Sequence, residues 1–438
     1  MYLTGTMKIN DDGHLEIGGI DTIDIVKQFS TPLWVIDEQG FRDNCRSFRD
    51  AFLNYGDTMV LYASKSLSCL SVCRIIDEEG LGLDVVSGGE LFTALQAGYP
   101  AEKIFFHGNN KSREELLMAL ESGIGRIVVD NFCELEILND LAREKGLVQD
   151  ILLRITPGVE AHTHEYIKTG QIDSKFGFTL TDGQAWDSVI KALASPNLFL
   201  QGLHCHIGSQ IFEVESFEHT IDLMTEFMAK IKADTGHELA ELNLGGGFGI
   251  YYSPGDLPPS PQQWAKVIMT HVKSQVDKWG LKMPKIIIEP GRALISSAGM
   301  TLYTVGSSKE VTGIRKYIAV DGGMNDNPRP ALYEAKYIAV IANKANEEAE
   351  QTYSIAGKCC ESGDMLIWDA NLPLAEAGDI LAVFATGAYN YSMSSNYNRL
   401  PRPAMVLVNE GKADIIVERE TYSDLIRNDK LPERLRKS

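Results

Sequence analysis

The chain has 438 residues, 44% of them hydrophobic and 23% charged, and carries a formal net charge of -19. That is ordinary globular composition, too long for one small core, and the acidic balance excludes nucleic acid and anionic membranes as natural partners, since both would repel it. No run of 18 apolar residues offers a membrane span, and the start MYLTGTMKINDDGHLEIGG shows neither a basic nor an apolar leader, so a cytoplasmic protein with a small-molecule task is expected.

An N-terminal strand pair is expected in HLEIGGI (14–20) and PLWVID (32–37). The chain then settles into a beat of apolar run, turn and amphipathic segment. The runs are MVLYAS (59–64), LGLDVVS (81–87), KIFFHG (103–108), RIVVDN (126–131), DILLRITP (150–157), LQGLHCHIGS (200–209), ELNLGGGFG (241–249) and KIIIEPGR (285–292). Strands that read as continuous hydrophobic runs between helices call for a parallel sheet, and eight such units call for a closed (β/α)8 TIM-like barrel in the α/β class. From about residue 293 the helical beat stops. Short strands follow at turn-separated intervals, from TLYTVGSSKEV to ADIIVERET, and predict a second, all-β barrel or sandwich domain to which the N-terminal strands contribute. The expected limits are 1–38 and 293–438 for the β domain and 39–292 for the barrel. The seven cysteines lack a repeating spacing, and Cys69 and Cys73 have no second pair to complete a zinc site, so buried thiols in a reducing compartment and no metal are expected.

Polar residues end almost every barrel run: Lys65, Asp84, His107, Asp130, Arg154, His206, the Gly245-Gly246-Gly247 turn, and Glu289 with Arg292. In this fold the catalytic mouth is built from those ends. Lys65 closes MVLYAS; a desolvated lysine there is a nucleophile toward carbonyls, whereas an arbitrary lysine after a strand only snorkels. The glycine turn offers free N–H groups to an anion, and Ser209 and Arg292 add donors near the place where barrels commonly hold phosphate. Glu289 follows three isoleucines, where an unpaired carboxylate is costly; a protonated pyridine nitrogen suits it, and so does a salt bridge to Arg292. His206 is flat enough to stack on a ring, or to be a core histidine bonded to backbone. Together these groups describe pyridoxal 5'-phosphate, although no one of them does so alone. In the second domain, Lys358-Cys359-Cys360-Glu361-Ser362-Gly363-Asp364 crowds thiols and carboxylates into one turn, either a proton donor and an ammonium acceptor or a polar hairpin with buried thiols. The loop Asp321–Tyr333 carries Arg329 and Tyr333, suited to a carboxylate, and the stretch from Gly387 offers Tyr389 and Tyr391.

YASK at 62–65, LDVVSGGE at 83–90, FHGNNKS at 106–112, HTHEYIKTGQIDSKFGF at 162–178, HCHIGSQI at 204–211, NLGGGFG at 243–249, IEPGR at 288–292, DGGMNDNPRPALY at 321–333, CCESGD at 359–364 and GAYNYSMSSNYNRLPRP at 387–403 resemble the diaminopimelate decarboxylases. These are fold-type III pyridoxal-phosphate enzymes, alanine-racemase-like in architecture, beside ornithine and arginine decarboxylases. The resemblance runs over nearly the whole chain. It implies that Lys65 anchors the cofactor covalently, that His206 stacks on its ring, and that Glu289 pairs with the pyridine nitrogen. It implies cofactor contacts from Asp84, Ser209, Gly246, Gly247, Pro290, Gly291, Arg292 and Tyr389. Arg292, Arg329, Tyr333, Glu361 and Tyr389 would read the substrate, and Cys360 would donate a proton across the interface of a homodimer. Two positions depart from the family pattern, Ser66-Leu67 after the lysine and Asn390 in place of glycine; asparagine tolerates positive φ. A decarboxylase of ornithine, lysine or arginine is the alternative within the class, and Arg329 discriminates, since those substrates carry no second carboxylate. A pyridoxal-phosphate-binding protein without turnover and a racemase are further options outside it.

Overall fold

The apolar runs close into a ring of eight parallel strands in the computed structural model, which describes residues 3–159 and 174–436. The chain divides into two units, Arg42–Ile295, and Met1–Phe41 with Ser296–Ser438. The HTHEYIKTGQID portion of the 162–178 motif, at 162–173, lies outside the described residues.

In the first unit the strands are β1 (Thr58–Ala63), β2 (Gly82–Val85), β3 (Ile104–Phe106), β4 (Arg126–Val129), β5 (Gln149–Thr156), β6 (Leu198–His204), β7 (Glu241–Asn243) and β8 (Lys285–Ile288). Each pairs in parallel with the next, and β8 pairs with β1 to close the ring. A helix follows each strand, and its ends are written locally. The helix Arg113–Ser122 after β3 starts at a capping box, with the Ser112 hydroxyl accepting from Glu115 N and the Glu115 carboxylate accepting from Ser112 N, and stops at left-handed Gly123.

Leu61, Phe105, Val128, Leu152 and Ile287 pack together as an apolar layer contributed by five of these strands. Side chains two residues apart on a strand share a face. The residue two positions on from each member of the layer is therefore its neighbour along the same face, about 6.6 Å further along. Those residues are Ala63, His107, Asp130, Arg154 and Glu289, so four of the polar residues at the run ends form one tier directly above the apolar one.

In the second unit the strand Gly299–Val311 organises the sheet. Its first half pairs with Leu33–Asp37 and Ile380–Phe384, and after a register shift between Val305 and Ser307 its second half pairs with Arg315–Val320. The sheet extends through Gln351–Ala356 to Met365–Leu372 on one side and through Ala404–Asn409 to Lys412–Val417 on the other. PLWVID thus joins the large sheet, but HLEIGGI does not pair with it. HLEIGGI folds on itself at Gly18-Gly19, and with Lys8–Ile9 it makes a separate three-stranded sheet. The two remain linked through the core: Leu15 and Ile17 pack in one apolar cluster with Leu33, Val35, Met300 and Val406. A helix absent from the expected elements, Thr22–Phe29, starts where the Asp21 side chain accepts from Ile23 N.

Candidate active site

Lys65 stands on a single 3₁₀ turn, Ser64–Ser66, that β1 feeds directly. The turn is pinned on both flanks: the Ser64 hydroxyl donates to Glu90 Oε2, which also accepts from Val86 N, and the Ser66 hydroxyl donates to Ala63 O. Its neighbours Ser64 and Ser66 are buried while Lys65 itself is exposed. Burial of this lysine, expected from the strand pattern, is not what the structure shows, because the turn lifts the side chain off the strand end. Lys65 lines a cavity of about 290 Å³ together with Asp84, His107, Arg154, His206 and Glu289.

Glu289 is the most constrained member. Its Oε1 accepts from Asn243 Nδ2 at 2.6 Å and lies 3.0 Å from His107 Nε2, while Oε2 lies 3.2 Å from His204 Nε2. Burial alone would raise this carboxyl, but the two histidines hold it well below the usual carboxylate range. The salt bridge to Arg292 that the sequence left open does not form part of this set; the partners come from β3, β6 and β7 instead. Burial outweighs the carboxylate for His204, whose imidazole is pushed down to about 4. As a neutral ring it donates from Nε2 to Glu289, which leaves Nδ1 buried without a hydrogen-bond partner among the described residues.

Two carboxylates share that condition, as does His107 Nε2. Asp84 Oδ1 is buried without a hydrogen bond among the described residues, 3.7 Å from His107 Nε2. Burial raises its carboxyl to about 6 against the pull of His107. Asp130 Oδ1 is similarly placed, 3.8 Å from Arg154 Nε. Buried polar atoms without partners cost roughly 1–3 kcal/mol each, so a fold that keeps several around one cavity keeps them for a ligand.

His206 is held neutral by burial and by the charges of Lys65 and Arg154. Gly246 N donates to its Nδ1 at 3.2 Å, which places the ring proton on Nε2. Gly246 and Gly247 admit no side chain: a Cβ would fall 2.2 Å from Glu289 O at the first and 2.5 Å from Gly208 O at the second, where φ is +109°. Arg292 and Ser209 come together, Nη2 donating to the Ser209 hydroxyl at 2.9 Å and Nη1 to the Tyr252 hydroxyl at 2.8 Å. Pro290 O accepts from Ala63 N, and a Cβ on Gly291 would approach Ala63 Cβ at 3.0 Å, so this turn packs against the base of the Lys65 turn.

The remaining expected residues lie in the β unit. Arg329 is buried on the short helix Arg329–Tyr333, donates from Nη1 to the Tyr337 hydroxyl at 2.6 Å, and lies 6.0 Å from the Tyr389 ring centre. Tyr333 ends that helix and is half-buried. Cys360 and Glu361 are exposed, with Cys360 N donating to Asn398 Oδ1. Asn390 does not take positive φ; its φ is -96°, and the left-handed residue is its neighbour Tyr389 at +61°. The expected site residues are thus divided between two separately described units.

Sequence reading assigned no role to His204, Asn243 or Tyr252, and recorded His107 and Arg154 only as part of the strand-end pattern. The signal for the first two was available: His204 ends the strand two residues before His206, and Asn243 ends the next strand, so both stand at the strand ends that build the mouth. Tyr252 lies in an irregular loop and had no such signal.

The model of the family described as "Pyridoxal-dependent decarboxylase, pyridoxal binding domain" matches residues 39–296. The chain is 54% identical over 430 residues to the diaminopimelate decarboxylase of Bacillus subtilis (strain 168), covering 98% of each chain. It is 50% identical over 441 residues to that of Synechocystis sp., covering 98% of this chain and 93% of the other. Among solved structures it is similar to the diaminopimelate decarboxylase of M. jannaschii in co-complex with L-lysine, at 38% identity and a TM-score of 0.92 over 98% of this chain and 99% of that one.

Proposed function

Because the chain belongs to the pyridoxal-dependent decarboxylases, in their diaminopimelate decarboxylase branch, we propose that it converts meso-2,6-diaminopimelate to L-lysine and carbon dioxide, the last step of lysine biosynthesis, with pyridoxal 5'-phosphate as cofactor. The observation that carries the chemistry is the cavity bordered by the Lys65 amine and by a buried, ionised carboxylate, Glu289, gripped by three side chains.

The residues present fit that cofactor. The Lys65 amine would hold it covalently, Gly246, Gly247, Ser209 and Arg292 would receive its phosphate, and His206 would meet its ring. The orphaned Asp84 and His204 atoms are the kind of groups that a polar aromatic ring satisfies. When bound, the group supplies an electron sink for the charge left on Cα as carbon dioxide departs. Glu289, carrying a full negative charge, would hold a ring nitrogen of the cofactor protonated. His206, neutral, would meet the ring without adding a positive charge. Arg329 holds the carboxylate at the far end of the substrate, and the Cys360 Sγ proton is delivered to Cα; the thiolate left behind takes up a proton from solvent, which completes the balance from dicarboxylic diamine and one proton to lysine and carbon dioxide. This reading takes a homodimer with shared sites and a cytoplasmic setting, both resting on the family resemblance. The ornithine-type alternative is disfavoured by Arg329, a buried arginine set among phenols that a monocarboxylic substrate would leave idle.

The test is stoichiometry: cofactor-loaded protein given meso-diaminopimelate is expected to release one carbon dioxide per lysine formed. Loading with the cofactor but no lysine formation would reduce the protein to a binding module.

A further inference from the structure

Asp364, the last residue of the CCESGD motif, has no place in the chemistry above, yet it is buried and spends both carboxylate oxygens on two different loops. Oδ1 accepts from Met324 N at 2.6 Å, in the loop that leads to Arg329. Oδ2 accepts from Cys359 N at 2.7 Å, beside Cys360. The backbone of each loop meets the other around this carboxylate. Lys358 N donates to Gly322 O at 2.9 Å, and Cys359 Sγ lies 3.5 Å from Asn325 Oδ1. Asp364 closes its own turn as well, its carbonyl accepting from Gly357 N at 2.9 Å.

Both loops make room for the carboxylate. A Cβ on Gly323 would fall 2.4 Å from Asp364 Oδ2, and one on Gly357 would fall 2.2 Å from it. A glycine in each loop, at the two points of approach, shows that the carboxylate's position is fixed by contact rather than by chance proximity. Beyond Met324 the loop is held again three residues before Arg329: Asp326 Oδ2 accepts from Gly323 N at 3.0 Å and Oδ1 from the Tyr303 hydroxyl. A third segment is tied in where Ser395 N donates to Asn325 O at 2.8 Å. Arg329 and Cys360 therefore emerge from two loops with one shared anchor.

We infer that Asp364 is a positioning residue that staples the 321–333 and 357–364 loops together, so that the carboxylate reader Arg329 and the proton donor Cys360 are set by one group. The inference rests on the roles given to Arg329 and Cys360 above. Its signature is coupling. An arginine that binds substrate acts chiefly on KM, and a proton donor acts chiefly on kcat; their common anchor acts on both.

The test compares Asp364→Ala, Arg329→Ala and Cys360→Ala in the cofactor-loaded protein, with amide hydrogen exchange of the two loops measured beside steady-state kinetics. Asp364→Ala is expected to speed exchange at Met324 and Cys359, lower kcat about tenfold or more and raise KM about tenfold, with cofactor affinity within about twofold. Arg329→Ala is expected to move KM with kcat nearly constant, and Cys360→Ala the reverse. Asp364→Asn, which keeps one acceptor oxygen and turns an amide N–H toward the other donor, should fall between wild type and alanine. Gly357→Ala keeps the carboxylate but pushes it aside, and covers the case in which Asp364→Ala does not fold; it should give the same paired change. Unaltered exchange, or a change in only one of kcat and KM in both Asp364→Ala and Gly357→Ala, overturns the staple. Faster exchange with Arg329→Ala and Cys360→Ala both silent upholds the staple and overturns the roles assigned to those two residues.

Discussion

The two ends of the barrel solve the same problem in opposite ways. At the end where the strands begin, Arg126 of β4 faces Glu241 of β7 and Asp150 of β5; Nη2 and Nε meet the two Glu241 oxygens at 2.8 and 3.0 Å, and Nη1 reaches Asp150 Oδ2 at 2.9 Å and Gly125 O at 2.7 Å. Above the apolar tier, at the end where the strands stop, Asp84, Asp130 and His204 each keep a buried polar atom without a hydrogen bond among the described residues. One tier is closed electrostatically and the other is left open. A closed ion cluster does structural work, whereas an open one is a standing cost that folding alone would not maintain. The difference locates the chemistry without reference to any relative.

Substitutions at the two ends should therefore separate activity from stability. The largest effect is expected for Lys65→Ala, which removes the amine and should lower turnover by about 10⁴-fold or more with the fold intact; carbon dioxide release and far-UV circular dichroism check both halves. Glu289→Gln should cost about 10²–10³ in kcat, since a neutral amide cannot hold a ring nitrogen protonated, and the loaded protein's absorbance spectrum should shift with it. At the other end, Arg126→Met strands Glu241 and Asp150 beside each other. It should lower stability by roughly 2–4 kcal/mol in a denaturant titration while kcat stays within about twofold.

The smallest effect is at Asp84, and its sign depends on pH. The folded carboxyl titrates at about 6 against 3.8 unfolded, because burial disfavours its charge more than His107 favours it. Between those values the folded protein binds more protons than the unfolded one, so this group's contribution to stability falls as pH rises through about 4 to 6. Asp84→Asn should stabilise the cofactor-free protein by about 1–3 kcal/mol at pH 7.5 and by little at pH 4. Equal effects at both pH values would mean that folding does not raise the Asp84 carboxyl.

The sequence announced the barrel clearly because period-two strands buried on both faces leave continuous apolar runs, and all eight appear where those runs lie. The polar tier was legible for the same reason, since each run ends on a residue that a packed core would reject. What stayed hidden depends on three dimensions. Nothing in local spacing links Glu289 to His107 and Asn243, 182 and 46 positions away, so the choice between Arg292 and other partners could not be made from the chain. The exposure of Lys65 depends on a 3₁₀ turn that Ser64 and Glu90 fix across 26 residues. The HLEIGGI hairpin was misjoined because its strands pair with each other and with Lys8–Ile9, a short exposed strand that carries little apolar pattern. The separate strength of the CCESGD motif, in contrast, came from its resemblance and not from its pattern; the structure adds the physical reason that Asp364 and two glycines form one contact.

The most direct measurement is carbon dioxide release by cofactor-loaded wild type and Arg329→Ala, each given meso-diaminopimelate, L-lysine and L-ornithine. Release from diaminopimelate alone, falling in Arg329→Ala through a raised KM, is the expected result. Comparable release from lysine or ornithine, indifferent to Arg329, would contradict the account and move the chain to the monocarboxylic decarboxylases.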